Sequence, residues 1–331
     1  MQVRCIGKVE LPAIGLGCMN LSHAYGRPPD TTAATALLHR AVDLGVRHFD
    51  TAALYGFGAN EKLLGGALKP YRQQIFLASK CGMTGVDGKR VIDGRPETLM
   101  QTLDEALVRL QTDHIDLYYL HRWDKSVPIE ESVGALANMV TAGKIGAIGL
   151  SEVSATTLRK AHAVHPIAAV QTEYSLWTRN AEIAVVQACR ELGTTFVAFS
   201  PLARGFLSGA VMDPARLEEK DIRRNMPRFQ EPFFSLNRGW LKAYAKLAEE
   251  AGCSMAQLAL AWLLSRGEHV LPIPGTTSVA HLEDNLAAAE LSLSVELFER
   301  LDTLINFHTV SGARYPAATQ AEIDTEDFPT Q

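Results

Sequence analysis

The sequence has 331 residues, of which 47% are hydrophobic and 21% are charged, a balance typical of a globular protein. Its formal net charge of −5 argues against a broad nucleic-acid-binding surface. No secretory signal or bilayer-spanning apolar run is visible, and the five scattered cysteines contain no C-x-x-C, so the sequence predicts a cytoplasmic protein with reduced thiols.

Short apolar runs alternate with longer amphipathic ones along the chain. After an N-terminal hairpin (3–7 and 9–17), the predicted strands occupy 13–17, 47–52, 75–80, 115–121, 147–152, 168–174, 195–202 and 270–275. The predicted helices occupy 31–44, 60–69, 96–110, 130–142, 155–163, 181–192, 238–251 with 254–266, and 278–289. The helix at 96–110 has apolar residues at i, i+3, i+4 and i+7, with proline in its first turn.

These eight strand–helix repeats, with no break in composition, predict one domain, residues 1–331, with an α/β fold: a (β/α)₈ TIM barrel. The expected additions are the N-terminal hairpin, a long loop at 203–237 after the seventh strand, and an extra C-terminal helix. Such a loop usually forms a lid or part of a binding site. Residues 306–331 are interpreted as a polar tail. A doubly wound open sheet is the competing architecture.

The segment GLGCMN (15–20) begins like the dinucleotide-binding fingerprint G-x-G-x-x-G. Asn20 replaces the third glycine, and the following residues predict a loop instead of a helix. Because the fingerprint must open a helix, the sequence argues against a Rossmann site.

Polar or ionisable residues end most of the predicted strands, where barrel enzymes place their chemistry. In chain order these ends are Gly17, Asp50, Lys80, His121, Ser151 with Glu152, Gln171, Ser200 and Gly275. Any barrel exposes some polar residues at its mouth. Four ionisable groups near neighbouring strands favour a catalytic site: Asp50, Tyr55, Lys80 and His121.

Tyr55 is the predicted proton donor of this group. A phenol with its ordinary pKa near 10 donates slowly at neutral pH, and a neighbouring cation such as Lys80 is expected to lower that pKa. Asp50 would be the counter-ion of the lysine. His121 can donate a hydrogen bond to an oxygen that becomes negative. Such a site suits protonation of a carbonyl oxygen while hydride reaches its carbon.

The chain resembles the aldo-keto reductases along nearly its whole length, from GLGCMNLSHAYG to PIPGTTSVAHLEDNLAA. The family's Asp, Tyr, Lys, His tetrad falls in FDTAALYG, FLASK and IDLYYLHR, on the four residues named above. Within the family, the chain is similar to a branch of bacterial and plant reductases of the auxin-induced or perakine-reductase type. The segments that carry this similarity are AGKIGAIGLSEVS, AAVQTEYSLWTR, FVAFSPLARGFLSG and MPRFQ.

The resemblance implies an NADPH-binding site, with NADH possible. Ser151 and Gln171 would bind the carboxamide, Phe199 would stack on the nicotinamide, and the turn at 200–205 would wrap the pyrophosphate. The last βα loop would hold the adenosine end. The implied cofactor-binding residues are Gly17, Cys18, Met19, Asp50, Ser151, Gln171, Phe199, Ser200, Pro201, Leu202, Arg204, Gly205, Gly275, Thr276, Thr277, His281, Asp284 and Asn285.

Two features depart from the family pattern. Glu152 stands where many members have asparagine, although the branch that this chain resembles often carries Glu. Residues 275–280 contain no Lys or Arg for a 2′-phosphate, which normally binds a cation, and only His281 follows. The candidate substitutes are Arg204, Arg223 and Arg224.

Three other features are weaker signals. His162 and His165 lie one helical turn apart without a third ligand, so a solvated face is favoured and no metal site is predicted. Cys81 is expected to be a buried small hydrophobe, with a redox-sensitive thiol as the alternative. Four aromatic residues either line a substrate pocket or anchor the long loop: Trp177, Phe229, Phe233 and Phe234.

The leading prediction is an NADP(H)-dependent reductase of small aldehydes or ketones, with no nucleic-acid or membrane partner, as a monomer or homo-oligomer. One alternative is a barrel lyase in which Lys80 forms a Schiff base. The other is a regulatory subunit of the same fold that binds nicotinamide nucleotide and a partner protein.

Overall fold

The computed structural model of the protein describes residues 2–86 and 88–328. Its strands are β1 (Val3–Ile6), β2 (Val9–Pro12), β3 (Leu16–Gly17), β4 (His48–Asp50), β5 (Phe76–Cys81), β6 (Met83–Val86), β7 (Lys89–Ile92), β8 (Ile115–Leu120), β9 (Ile145–Ser151), β10 (Ile167–Glu173), β11 (Thr195–Phe199) and β12 (Val270–Pro272). Its helices are α1 (Thr31–Asp43), α2 (Ala59–Leu68), α3 (Pro96–Leu110), α4 (Ile129–Thr141), α5 (Ala155–Val164), α6 (Val185–Leu192), α7 (Phe233–Glu250), α8 (Met255–Leu264), α9 (Val279–Ala287), α10 (Val295–Leu304) and α11 (Ala317–Gln320).

Eight strands form one parallel sheet in the order β3, β4, β5, β8, β9, β10, β11, β12. Backbone bonds then join its two edges. The amide of Gly15 donates to the carbonyl of Pro272 at 3.0 Å, and that of Gly17 donates to Pro274 at 3.2 Å. The sheet therefore closes on itself, which confirms the predicted (β/α)₈ barrel.

The interior of the barrel is filled by apolar side chains, and the β1–β2 hairpin covers one end. Ile6 and Leu11 of that hairpin belong to the same buried cluster as Leu117, Val197 and other strand residues. A larger buried cluster lies between the strands and the surrounding helices. The C-terminal ends of the strands remain open for a site, as in other barrels of this kind.

Several element boundaries differ from the predicted ones. Helix α6 begins at Val185 instead of residue 181, because Asn180–Glu182 form a 3₁₀ turn and Ala184 has a non-helical backbone. Helix α7 begins at Phe233, directly after Pro232, and so takes five residues from the predicted long loop. The antiparallel β6–β7 hairpin was not predicted.

The C-terminal segment is more ordered than the predicted polar tail. Helix α10 is the expected extra C-terminal helix, and short helix α11 follows it. Buried Tyr315 and Ile323 pack into the main core cluster. Residues 329–331 of the predicted tail lie outside the described residues. In the described part of the chain, no helix has both the length and the apolar character needed to cross a bilayer.

Candidate active site

A cavity of about 700 Å³ lies at the C-terminal ends of the barrel strands. Its size is typical of sites for cofactors and small substrates. Every residue of the expected cofactor-binding set lines it, together with Tyr55 and His121. Lys80 does not line the cavity and lies fully buried behind its wall.

Lys80 and Asp50 form a buried ion pair at the ends of adjacent strands β5 and β4. Lys80 Nζ lies 2.5 Å from Asp50 Oδ1 and also donates to the carbonyl of Thr51 at 2.8 Å. Burial alone would lower the pKa of Lys80, but the charge of Asp50 raises it above its ordinary value. Lys80 is therefore a fixed cation at neutral pH. It is the counter-ion that the buried carboxylate of Asp50 needs.

The phenol of Tyr55 lies beside this cation. Its Oη is 3.2 Å from Lys80 Nζ, and the ammonium also lies 4.8 Å from the centroid of the ring. Burial raises the pKa of Tyr55 above its ordinary value of 10, and the opposing charge of Lys80 does not offset that effect. The expected net lowering of this pKa is therefore wrong, because burial is the larger influence. The phenol is protonated at neutral pH.

His121 follows strand β8 and brings its imidazole edge-on to Tyr55, with 5.8 Å between the ring centroids. The backbone amide of His121 donates to the carbonyl of Cys81, which fixes the start of the loop that follows β8. Burial, and then the charge of Arg122, hold the pKa of His121 well below its ordinary value. The ring is therefore neutral, with one N–H to donate, and its buried Nδ1 has no hydrogen-bond partner in the described residues.

Gln171 and Ser151 lie on the cavity side of this group. Gln171 Nε2 donates to Asp50 Oδ2 at 2.7 Å, so its side-chain carbonyl is left to accept a hydrogen bond. The hydroxyl of Ser151 accepts from Arg122 Nη1 at 3.2 Å and keeps its own proton to donate. One acceptor and one donor, on neighbouring strands β10 and β9, match the two halves of a carboxamide.

The turn at 200–205 has an unusual backbone. Ser200, Ala203 and Arg204 have φ values of 49°, 49° and 57°, and Gly205 has a φ of 88°. Left-handed conformations of residues other than glycine cost on the order of 1–3 kcal/mol each and are concentrated at functional sites. Turns that mix left-handed and right-handed residues can direct their amides into an anion-binding concavity. This turn lines the cavity.

The first and last strands of the barrel approach too closely for side chains at two glycines. A Cβ on Gly17 would lie 2.9 Å from the carbonyl oxygen of Ile273. A Cβ on Gly275 would lie 2.9 Å from the carbonyl oxygen of Gly17. Both glycines are therefore needed for barrel closure, and their backbones line the cavity.

Helix α9 begins at the cavity. Ser278 caps it by accepting from the amide of His281 at 3.4 Å, and Thr276 Oγ1 accepts from the amide of Ser278 at 3.0 Å. Thr277 and His281 line the cavity here. A helix N-terminus attracts anions, so this end suits a phosphate group.

The arginines considered as phosphate ligands are otherwise engaged. Arg204 Nη2 lies 2.8 Å from Glu173 Oε2, and Arg223 Nη2 lies 2.6 Å from Asp221 Oδ2. Arg224 is not among the cavity-lining residues, and its Nη1 donates to the carbonyl of Leu217. A phosphate that bound Arg204 or Arg223 would have to compete with the carboxylate already paired with that arginine.

Comparison with known proteins identifies the family. The sequence model that describes the Aldo/keto reductase family matches residues 13–306 of this chain. The chain belongs to this family. It is therefore an oxidoreductase by family, and its barrel is the fold expected from the sequence.

Relatives match this reductase over nearly its full length. It is 43% identical to "Aldo-keto reductase yakc [NADP(+)]" of Schizosaccharomyces pombe, over 98% of both chains. It is 42% identical to "Probable aldo-keto reductase 1" of Glycine max, over 92% of this chain and 89% of that protein. Among solved structures, the glycerol dehydrogenase AKR11B4 from Gluconobacter oxydans matches with a TM-score of 0.84 and 28% identity, over 91% of this chain and 94% of the other. The aldo-keto reductase AKR11C1 from Bacillus halodurans, in its holo form, matches with a TM-score of 0.77 and 28% identity, over 92% of this chain and 97% of the other.

A buried ionic network joins the C-terminal segment of the reductase to its barrel. Arg314 Nη1 donates to Glu152 Oε2 at 2.9 Å, and Arg314 Nε lies 3.2 Å from Glu173 Oε2. Arg204 reaches the same Glu173 oxygen and the hydroxyl of Tyr315. Burial opposes ionisation of Glu173, but Arg204 and Arg314 outweigh it and lower its pKa to about 2. Glu152, which departs from the family pattern, is thus the partner of Arg314.

The predicted aromatic residues do not line the cavity; Trp177 stacks on Phe206 of the long loop with 4.3 Å between centroids, and Phe229 and Phe234 join the same cluster. They anchor the loop, while Phe233 is half-exposed beside Gly312.

Cys81 is fully buried and its Sγ contacts the carbonyl of Tyr119, so it is a small hydrophobe. His162 Nδ1 accepts from a backbone amide, and His165 Nδ1 bonds the carbonyl of Pro166. Among the described residues, no three His, Cys, Asp or Glu side chains are grouped to hold a metal ion.

Sequence reasoning missed several residues of the cavity wall. Arg90 comes from the unpredicted β6–β7 hairpin, Tyr315 from the supposed tail, and His23 from the loop after β3. Arg122 directly follows the predicted site residue His121 in the motif LHR. That adjacency is the feature of the sequence that could have placed Arg122 at the cavity.

Proposed function

We propose that this reductase reduces aldehydes or ketones to alcohols by hydride transfer from NADPH, reversibly, as a single barrel domain. The observation that carries the proposal is the phenol of Tyr55 on the cavity wall, bonded to a buried lysine whose charge Asp50 fixes. The name of the Schizosaccharomyces pombe relative supports NADP(H) as the cofactor.

The residues of the cavity fit a dinucleotide. Ser151 and Gln171 offer the donor and acceptor for its carboxamide, and Phe199 at the end of β11 offers an aromatic face. The left-handed turn at 200–205 would hold the pyrophosphate, and the start of α9 would receive the adenosine phosphate. When bound, the nicotinamide supplies the hydride.

Tyr55 would hold and release the proton. Because burial keeps its pKa high, the phenol retains the proton that the carbonyl oxygen must receive. Lys80, at 3.2 Å, stabilises the phenolate as it forms, and Asp50 holds the lysine in place. The neutral ring of His121 would donate a hydrogen bond to the carbonyl oxygen and orient it toward Tyr55.

The lyase alternative is less well supported. A Schiff-base lysine must present a neutral amine to its substrate. Lys80 is fully buried, bonded to three oxygens, absent from the cavity wall and raised in pKa. The regulatory alternative predicts nucleotide binding without turnover, although Tyr55 and His121 both face the cavity.

The test uses the wild-type protein. NADPH and NADH binding would be measured by fluorescence titration, followed by cofactor oxidation at 340 nm with a panel of aldehydes and ketones. We expect NADPH binding and turnover of at least one carbonyl class. Nucleotide binding without turnover would favour the regulatory subunit, and borohydride trapping of a carbonyl compound on Lys80 would favour the lyase.

A further inference from the structure

Arg122 is a cavity-lining cation with incomplete hydrogen bonding. Its Nη1 donates to the carbonyl of His121 at 2.6 Å and to Ser151 Oγ at 3.2 Å. Its Nε is buried without a hydrogen-bond partner in the described residues, and its Nη2 bonds to none of them. An unpaired buried donor is costly, so its retention needs an explanation.

The charge of Arg122 is also unpaired. Within residues 2–86 and 88–328, no ion pair joins its guanidinium to a carboxylate. The other cavity-lining arginines all have carboxylate partners, namely Glu322 for Arg90, Glu173 for Arg204 and Asp221 for Arg223. Arg122 is therefore the cavity-lining arginine without an ion-pair partner in the described part of the chain. Burial opposes ionisation of Glu152, but Arg314 and, to a smaller extent, Arg122 lower its pKa, and that carboxylate is already paired with Arg314.

The position of Arg122 associates it with the substrate end of the cavity. It follows His121 at the end of β8, whose neighbours in the sheet are β5 with Lys80 and β9 with Ser151. The expected phosphate-binding segments follow β11 and β12, which lie across the barrel from β8. An anion held by Arg122 would therefore lie beside the proposed proton donor and not among the nucleotide phosphates.

We propose that Arg122 binds a carboxylate of the substrate, so that the preferred substrates are aldehydes or ketones that carry a carboxylate group. This inference rests on the proposed reductase function. The free Nη2 of the guanidinium can donate a charge-assisted hydrogen bond to a carboxylate oxygen. The single positive charge of Arg122 matches the single negative charge of a carboxylate. A phosphate ester carries nearly two negative charges and would need a second free cation. Leu54 and Met83 provide an apolar wall for the carbon skeleton.

The kinetic test compares 4-carboxybenzaldehyde with 4-nitrobenzaldehyde, which has a similar shape and no charge. The measured quantity is the ratio of their kcat/KM values within each variant, because effects of a substitution on folding or cofactor binding cancel in the ratio. Arg122→Gln is expected to lower the ratio about 10- to 100-fold, the loss of one charge-assisted hydrogen bond. Arg122→Lys is expected to restore part of it.

Arg90→Gln is the matched control. Arg90 also lines the cavity, but its guanidinium already lies 2.5 Å from Glu322. We expect the ratio to change less than about threefold in this variant, as for a partly exposed charge that is already paired. A fall as large as that of Arg122→Gln would show a diffuse effect of cavity charge and overturn the assignment to Arg122.

A binding measurement separates this inference from the proposed function. Calorimetry would compare benzoate with benzamide on protein saturated with NADP⁺, and we expect benzoate to bind more tightly only when Arg122 is present. Benzoate binding that depends on Arg122 in a protein that reduces no aldehyde or ketone of the panel would uphold the anion site and refute the reductase. Reduction of both aldehydes with an unchanged ratio in Arg122→Gln would overturn the anion site alone. A large loss of NADPH affinity with an unchanged ratio would assign Arg122 to the nucleotide and likewise overturn the inference.

Discussion

The buried pair of Lys80 and Asp50 makes a prediction about stability that is separate from activity. The side chains are 0% and 2% exposed, and Asp50 has one further partner, Gln171 at 2.7 Å. Lys80→Met leaves a buried carboxylate without its counter-ion, and Asp50→Asn leaves a buried ammonium without one. Each single change is therefore expected to lower the free energy of unfolding by about 3–5 kcal/mol.

The double variant should be more stable than either single variant. With Asp50→Asn and Lys80→Met combined, no lone charge is buried, and the loss is expected to fall to about 1–2 kcal/mol, whereas additive effects would give about 6–10 kcal/mol. The raised pKa of Lys80 means that its stabilising contribution is present below the ordinary lysine value and is lost only as the pH rises past it. Urea unfolding followed by circular dichroism at pH 7 therefore measures the intact pair.

Activity should not follow stability in this series. Lys80→Met and the double variant remove the cation beside Tyr55 and should both be nearly inactive, while Asp50→Asn keeps that cation and should lose less. A double variant whose instability equals the sum of the two single variants would refute the pairing argument. Equal activity losses in Asp50→Asn and Lys80→Met would mean that Asp50 does more than hold the lysine.

Two further predictions concern the cofactor and acid stability. NADPH should be preferred over NADH by a narrow margin, because Thr277 and its neighbours are neutral and only His281 follows; Thr277→Arg should widen the margin about fivefold in equilibrium titrations at two salt concentrations. A thousand-fold preference in the wild type, or tighter binding of NADH, would contradict this. Burial lowers the pKa of His48 to about 4, so stability should fall as the pH drops from about 6.5 toward 4, with this residue contributing on the order of 3 kcal/mol. His48→Leu should flatten that fall in urea unfolding, and an unchanged slope would rule out His48 as its source.

The barrel and its polar mouth could be predicted from local patterns. Apolar runs ending at Asp50, Lys80 and His121 identify parallel strands, and the carboxyl ends of such strands meet at one face. The expected cofactor-binding residues came instead from the family resemblance, and all of them line the cavity.

Other features depend on contacts that no local pattern encodes. Arg314 reaches Glu152, 162 positions away, from a segment without periodicity, and so the supposed tail proved to be part of the cavity wall. The direction of the Tyr55 pKa depends on how deeply the ring is buried, and the residue types alone favoured the opposite sign. Whether Arg122 has a carboxylate partner is likewise decided only by tertiary packing.

Single-turnover reduction by Tyr55→Phe, measured together with its NADPH dissociation constant, tests the proposed proton donor most directly. The variant lacks only the hydroxyl that lies 3.2 Å from Lys80 Nζ. We predict that reduction of a carbonyl substrate slows by about 10²–10⁴-fold while the dissociation constant changes less than about threefold. Near-wild-type reduction by this variant would contradict the account, because the proton would then come from another group.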